Sequence, residues 1–238
     1  MPNHPRRRRA LALVASVLVV PLLLVGCGQS EDRADEQSPT EVMEQAKKHF
    51  DDASSVHIVL NTDDVPPSGD GVLGATGDVT HDPAFKGDVK VLFQGFPAEL
   101  PVTAVGGKVY AKLPFSAKIG AIDPADYGAP DPADFADPEN GLSALLTKME
   151  DLEKGKETRS GEKILTTYTG KLPGAAVKRI IPSAEAGQSY DTEVGVDDKG
   201  YASTVKVTGA FFGGSEDVTY DVKFTEYDKG VKITAPPT

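Results

Sequence analysis

Residues 85–95, FKGDVKVLFQG, set Phe85, Val89, Val91 and Phe93 against Lys86, Asp88, Lys90 and Gln94. A period of two sends successive side chains to opposite faces of a strand, so one face meets a core and the other meets water. Such one-sided burial is the habit of antiparallel sheets, because parallel sheets are covered on both faces. The same period recurs on either side. VHIVLNT (56–62) aligns Val56, Ile58 and Leu60, and GVLGATGDVT (71–80) aligns Leu73, Ala75, Gly77 and Val79. VTAVGGKVYAKL (102–113) reads as two strands about the turn Gly106-Gly107, with Val102 and Ala104 before it and Val109 and Ala111 after it.

Helical spacing separates the strands. Ser38-Pro39-Thr40-Glu41 is a capping box with proline at the first helical position, and Met43, Ala46 and Phe50 follow at helical intervals. Residues 114–141 carry five prolines and several aspartates. Asp137-Pro138-Glu139 then predicts a helix start, Leu142, Leu145, Leu146, Met149 and Leu152 its apolar stripe, and Gly155 its stop. KILTTYTG resumes the strands, and a short helix between Pro173 and Pro182 carries Val177, Ile180 and Ile181. YDTEVGV, ASTVKVTGAFF, DVTYDVKFTEY and VKIT complete the strand set, with turns at Lys199-Gly200 and at Asp228-Lys229-Gly230. Strands at both ends with helices between them predict an α+β fold, its helices gathered on one side of an antiparallel sheet.

The N-terminus differs from all of this. Arg6, Arg7, Arg8 and Arg9 precede an apolar run from Ala10 to Val25, as in an export signal. That run is short of the roughly 20 residues of a membrane span, and Pro21 interrupts it. Leu24-Val25-Gly26-Cys27 resembles the bacterial lipobox, where the cysteine sulfur takes a diacylglyceryl group and the chain is cut before it. The expected division is therefore a signal over 1–26, a polar tether over 27–37 hung from lipidated Cys27, and one domain over 38–238. Two or three acyl chains hold a protein on a membrane stably, where one does not. Cys27 is the chain's only cysteine, so the exported domain has no disulfide and must be stabilised by burial.

The formal charge is −11, and loss of the four signal arginines deepens it to −15. General electrostatics then disfavours nucleic acid and anionic headgroups as partners. His4, His49, His57 and His81 show no metal-ligand spacing, and no nucleophile elbow or phosphate loop is present. The DPAD repeats at Asp123 and Asp131 and the DPEN at Asp137 read as turns and caps rather than a calcium loop. Neither an enzyme nor a cofactor or metal site is expected. Ala75, Gly77, Gly87, Ala104 and Ala111 are small inward residues, which leave volume that either helices fill or a ligand occupies.

The lipobox cysteine followed by SSVHIVLNT, GDVTHDPAFKGDVKV, GGKVYAKL, DPENGLSALLTKMED, EKILTTYTGKL, VGVDDKGYASTVKVTG and VTYDVKFTEYDKGVKITAPP resembles the LppX/LprA/LprF/LprG lipoproteins of mycobacteria and related actinobacteria. The likeness runs in order over essentially the whole mature chain; the loop APDPADF and the turn TGAFFGG depart from it. The resemblance implies a curved antiparallel half-barrel whose helices cover its concave face, with a central apolar cavity for the acyl chains of triacylated lipids or glycolipids. On that likeness Ile58, Leu60, Leu73, Ala75, Val89, Val91, Phe93, Val102, Ala104, Val109, Leu142, Leu145, Leu146 and Met149 are the expected lining. It also implies a monomeric carrier, anchored on the extracytoplasmic face of the cell membrane, that works with a major facilitator superfamily exporter. The competing expectation is a membrane-anchored adaptor whose core is fully packed.

Overall fold

The computed structural model describes residues 37–64, 71–93, 95–113, 116–213 and 216–237. Cys27, the expected signal and most of the tether lie outside the described residues, as does the side chain of Phe93. Helix α1 (Pro39–Asp52) begins as its sequence dictates. Ser38 Oγ accepts from the Glu41 N–H at 3.3 Å, and the Glu41 carboxylate accepts from the Ser38 N–H at 2.8 Å. Its buried stripe is Val42, Met43, Ala46 and Phe50.

Six strands follow: β1 (Ser55–Asn61), β2 (Gly71–Thr80), β3 (Ala84–Phe93), β4 (Phe96–Val105), β5 (Lys108–Ala111) and β6 (Gly120–Ile122). Two 3-10 turns, Pro124–Tyr127 and Pro132–Ala136, lead to α2 (Leu142–Thr147). The second half holds β7 (Glu150–Ser160), β8 (Lys163–Pro173), α3 (Gly174–Ile180), β9 (Ser189–Asp197), β10 (Ala202–Gly209) and β11 (Val218–Thr225). All eleven strands form one open antiparallel sheet in the order β6-β5-β4-β3-β2-β1-β11-β10-β9-β8-β7. Each half of the chain thus builds one wing in sequence order, and the β1–β11 pairing, with Ile58 opposite Phe224, joins the wings. The helices cover the concave face of this curved sheet, as an α+β half-barrel requires.

The turn chemistry read from sequence recurs in the structure. Gly106 and Gly107 both take positive φ (61° and 68°) between the paired Val105 and Lys108, the conformation a two-residue hairpin needs. Asp123 and Asp131 cap the two 3-10 turns through the N–H groups of Ala125 and Ala133, each at 2.9 Å. Asp137 accepts from Glu139 and Asn140 at 2.8 Å, and these two N–H groups hold its carboxyl below the usual range.

Four local expectations are corrected. The helix after Asp137 covers only Leu142–Thr147: it starts after Gly141 rather than at Asp137, whose carboxylate caps a turn instead. Met149 and Leu152 lie beyond its end, and Gly155 falls inside β7 rather than stopping a helix. The charged run EDLEKGKETRS is an edge strand, nearly all exposed, so neither face imposes an apolar alternation that would reveal it. A bulge between Val72 and Gly74 breaks the inner row of β2: Val72 packs against the core, while Leu73 sits at the bulge, partly buried. VKIT adds no strand. In addition β4 begins at Phe96 despite Pro97 and Pro101, because β5 pairs only with Val102–Val105. The rest of β4 is an edge, where a missing N–H costs no ladder bond.

Candidate functional site

The concave face and the helices enclose an apolar seam. Leu60 of β1, Val205 and Val207 of β10, and Tyr220, Val222 and Phe224 of β11 form its floor. Leu142 and Leu145 of α2 and Val177, Ile180 and Ile181 at α3 form its roof. The open volume between them is about 20 Å³, room for about one water molecule. Sheet and helices are therefore closed on one another. Among the described residues no ionisable group except the Tyr220 phenol borders the seam, so it offers contact with apolar matter and little else.

Of the lining read from sequence, Leu60, Leu142 and Leu145 border this seam. Ile58, Ala75, Val102, Ala104, Val109, Leu146 and Met149 are buried in the same core without reaching it, and Val89 packs partly buried against that core. Val91 is partly buried at the far end of β3, where neighbouring Leu92 is buried instead. The space over Gly77 and Gly87 is taken up from within the chain. A Cβ on Gly77 or Gly87 would lie 2.8 or 2.9 Å from the Phe85 ring, which also meets Phe135 edge-on at 6.3 Å. The floor residues of β10 and β11 were missed, although TVKV and TYDVKF carry the same period-two signal as FKGDVKV.

The two ends of the concave face are closed differently. At one end Phe50 of α1 meets His81, Phe224 and Tyr227 edge-on, with centroids 5.7, 5.3 and 6.4 Å apart, and the Tyr227 hydroxyl donates to Ala202 O at 2.7 Å. At the other end Tyr190, Phe211 and Tyr220 form a row with successive centroids 4.7 Å apart. All three are fully buried. The Tyr190 hydroxyl accepts from the Glu185 N–H at 2.7 Å and donates to Ala210 O at 3.0 Å, and the Tyr220 hydroxyl donates to Val72 O at 2.9 Å. Burial raises all three tyrosine phenols, that of Tyr220 to about 12.

Polar features lie elsewhere. His57 Nδ1 sits 2.7 Å from Asp78 Oδ1, a cross-strand pair that borders neither the seam nor the cleft described next. A cleft of about 320 Å³ is lined by Asp51, His81, Pro83, Ala133, Asp134, Ala136, Asp137 and Pro138. Burial raises the Asp134 carboxyl there, and Asp131 and Asp137 add to the effect. His81 Nδ1–H donates to Ala53 O at 2.7 Å. Among the described residues no group of three or more His, Cys, Asp or Glu side chains is placed to hold a metal ion. This acidic cleft is a poor host for an acyl chain, and the seam is the better candidate.

Comparison with known proteins agrees with this architecture. The chain is 27% identical over 237 residues to the lipoarabinomannan carrier protein LprG of Mycolicibacterium hassiacum, covering 96% of this chain and 98% of that one. Its fold matches LprF of Mycobacterium bovis with a TM-score of 0.70 at 16% identity, covering 84% of this chain and 97% of the other. It matches LppX of Mycobacterium tuberculosis with a TM-score of 0.60 at 16% identity, covering 82% and 98%. The family pattern itself runs from Ser38, the N-cap of α1, to residue 235, and on that match the chain belongs to the LppX_LprAFG lipoprotein family.

Proposed function

We propose that this protein is a cell-envelope lipid carrier that takes the acyl chains of a triacylated lipid or glycolipid between its sheet and its helices. The supporting observation is the seam, apolar on both sides and roofed by two short helices, neither of which has a side-chain N-cap. The name of the LprG relative, a lipoarabinomannan carrier, points the same way. Loading requires α2 and α3 to move off the sheet, since about 20 Å³ admits no acyl chain. Three chains bury about 40 methylenes at roughly 0.8 kcal/mol each, but a lipid leaving a bilayer gives up nearly as much. Exchange therefore runs close to balance, as a carrier needs. The proposed lining is the expected set, of which Leu60, Leu142 and Leu145 border the closed seam and the rest are reached only once the helices move, extended by the floor of β10 and β11.

In this reading residues 1–26 are the signal, Cys27 carries the acyl anchor, residues 27–37 form the tether and residues 38–238 act as a monomer on the extracytoplasmic face of the cell membrane. A major facilitator superfamily exporter is the proposed partner, and lipid moves from the cytoplasmic membrane toward the outer envelope. No reaction is assigned to the chain. Mass spectrometry of the mature N-terminal peptide should find Cys27 as the first residue with added acyl mass; a free thiol there, or a chain starting at Met1, would overturn the anchor.

The closed seam also favours a second reading, a membrane-anchored adaptor whose core is simply packed. Organic extraction of residues 28–238 purified from the native host, followed by lipid mass spectrometry, separates the two. A stoichiometric acyl lipid supports the carrier, and a clean extract supports the adaptor.

A further inference from the structure

We propose that Tyr190, Phe211 and Tyr220 form a gate at one end of the seam, latched by the two tyrosine hydroxyls, and that release of those hydroxyls limits how fast lipid enters and leaves. The proposal rests on the carrier reading above.

The register places the gate. Thr208 lies opposite both Asp191 and Thr219, and Gly209 lies opposite Val218, so the row sits where β9 and β11 begin and β10 ends. Phe50 and Tyr227 close the opposite end, at the end of β11 and the start of β10. Tyr220 and Ile181 border the seam directly, so the row stands between the seam and this end of the fold. The Tyr190 ring lies across Gly209, where a Cβ would come within 2.6 Å of it, so only glycine lets the ring lie flat across β10.

What the hydroxyls join makes this a latch. Tyr190 ties the Glu185 N–H, in the segment after α3, to Ala210 in the β10–β11 connection. Tyr220 ties the start of β11 to Val72 at the β2 bulge. Three chain segments distant in sequence thus meet on two phenol oxygens. The segment that the Tyr190 hydroxyl holds carries fully buried Ala184 and is stitched to the start of α3 by the Gly174 N–H to Gln188 O bond of 2.8 Å. Swinging it out would carry Ile180 and Ile181 off the roof and open the seam from this end.

Replacing a tyrosine by phenylalanine keeps the ring in the row and removes only the latch. A neutral hydrogen bond shifts an equilibrium by roughly 2- to 10-fold, so losing both hydroxyls should raise the open population, and the exchange rate, about tenfold or more. The test measures transfer of a pyrene-labelled phosphatidylcholine from phosphatidylcholine vesicles to residues 28–238, recording both rate and final loading. The Tyr190→Phe/Tyr220→Phe variant should exchange at least about tenfold faster than wild type at similar loading. Tyr227→Phe, which removes a comparable buried hydroxyl at the opposite end, should exchange at the wild-type rate. Wild-type rates in the double variant would overturn the gate, as would equal acceleration by Tyr227→Phe, which would mean general loosening. Loading by wild type together with either result leaves the carrier reading intact. No loading by wild type or either variant would overturn the carrier reading and the gate with it.

Discussion

The end of the concave face at α1 and the end at the tyrosine row bury aromatic side chains equally well but hold them by different means. Phe50 is fixed by a helix of fourteen residues with a complete capping box, and three rings meet it edge-on. Beside the tyrosine row stands a seven-residue helix without a side-chain cap, and the row's hydroxyls bond to the segment after α3, to the β10–β11 connection and to the β2 bulge. Packing over a long helix is lost only when the helix leaves, whereas single hydrogen bonds to a loop break one at a time. One end is built to stay shut and the other to open.

The comparison is broken most directly by Phe50→Ala. Deleting a fully buried ring should cost about 3–5 kcal/mol, read as a large fall in melting temperature; a loss under about 1 kcal/mol would mean that α1 is not the fixed end. A smaller effect comes from alkaline pH at the other end. Burial pushes the Tyr220 phenol up to about 12, Asp64 adds to this, and the Ser183 hydrogen bond opposes it. The unfolded chain releases that proton near pH 10, so the folded state holds the extra proton between the two values. The contribution is complete below pH 10 and is lost as pH rises toward 12, on the order of 2 kcal/mol. Melting followed from pH 9 to 12 should show this decline on top of those of Tyr190 and Tyr227, whose phenols burial also raises. Tyr220→Phe should make the slope shallower without abolishing it; an unchanged slope in the variant would remove Tyr220 as a contributor.

Gly174→Ala sharpens the comparison from the roof. A Cβ there would lie 2.1 Å from Glu185 O and 2.8 Å from Gln188 O, so the segment after α3 must shift away. The expected cost is about 1–3 kcal/mol, with faster amide exchange confined to residues 174–188; protection lost over α1 as well would show that the two ends are not independent. The smallest effect is Ser38→Ala, which removes the N-cap of α1 for about 1 kcal/mol. It should lower the melting temperature slightly without changing lipid exchange, and faster exchange would contradict the assignment of α1 to the closed end.

Much of the sheet was legible because one-sided burial writes itself as a period of two. VHIVLN and TYDVKF match the observed strands and inner faces, and FKGDVKV matches its strand with Phe85 inside, although at its far end Leu92 rather than Val91 is buried. β7 was not legible, because an edge strand exposed on both faces carries no such alternation, and Leu152 and Gly155 at its start read as the last apolar position and the stop of the preceding helix. Leu73 was placed on the inner face by counting in twos, and the bulge beside it adds the residue that counting cannot see. Among the expected site residues, Leu60, Leu142 and Leu145 border the seam, whereas Val89 and Val102 share a core wing already filled by Phe85 and Phe135.

The sequence by itself determined the strand faces, the capped start of α1, the Gly106-Gly107 hairpin and the Asp-Pro caps, since each depends on residues within a few positions of one another. It also supplied the lipobox reading of Cys27 as an expectation. Only the tertiary structure decided where α2 ends, that β7 pairs with β8, and that the paired backbone of β2 and β3 and the Phe85 ring occupy the space over Gly77 and Gly87. It alone brought Tyr190, Phe211 and Tyr220 together beside the seam. Those outcomes depend on which distant backbone supplies a hydrogen-bond partner and which distant side chain reaches a gap first, and local periodicity carries no record of either.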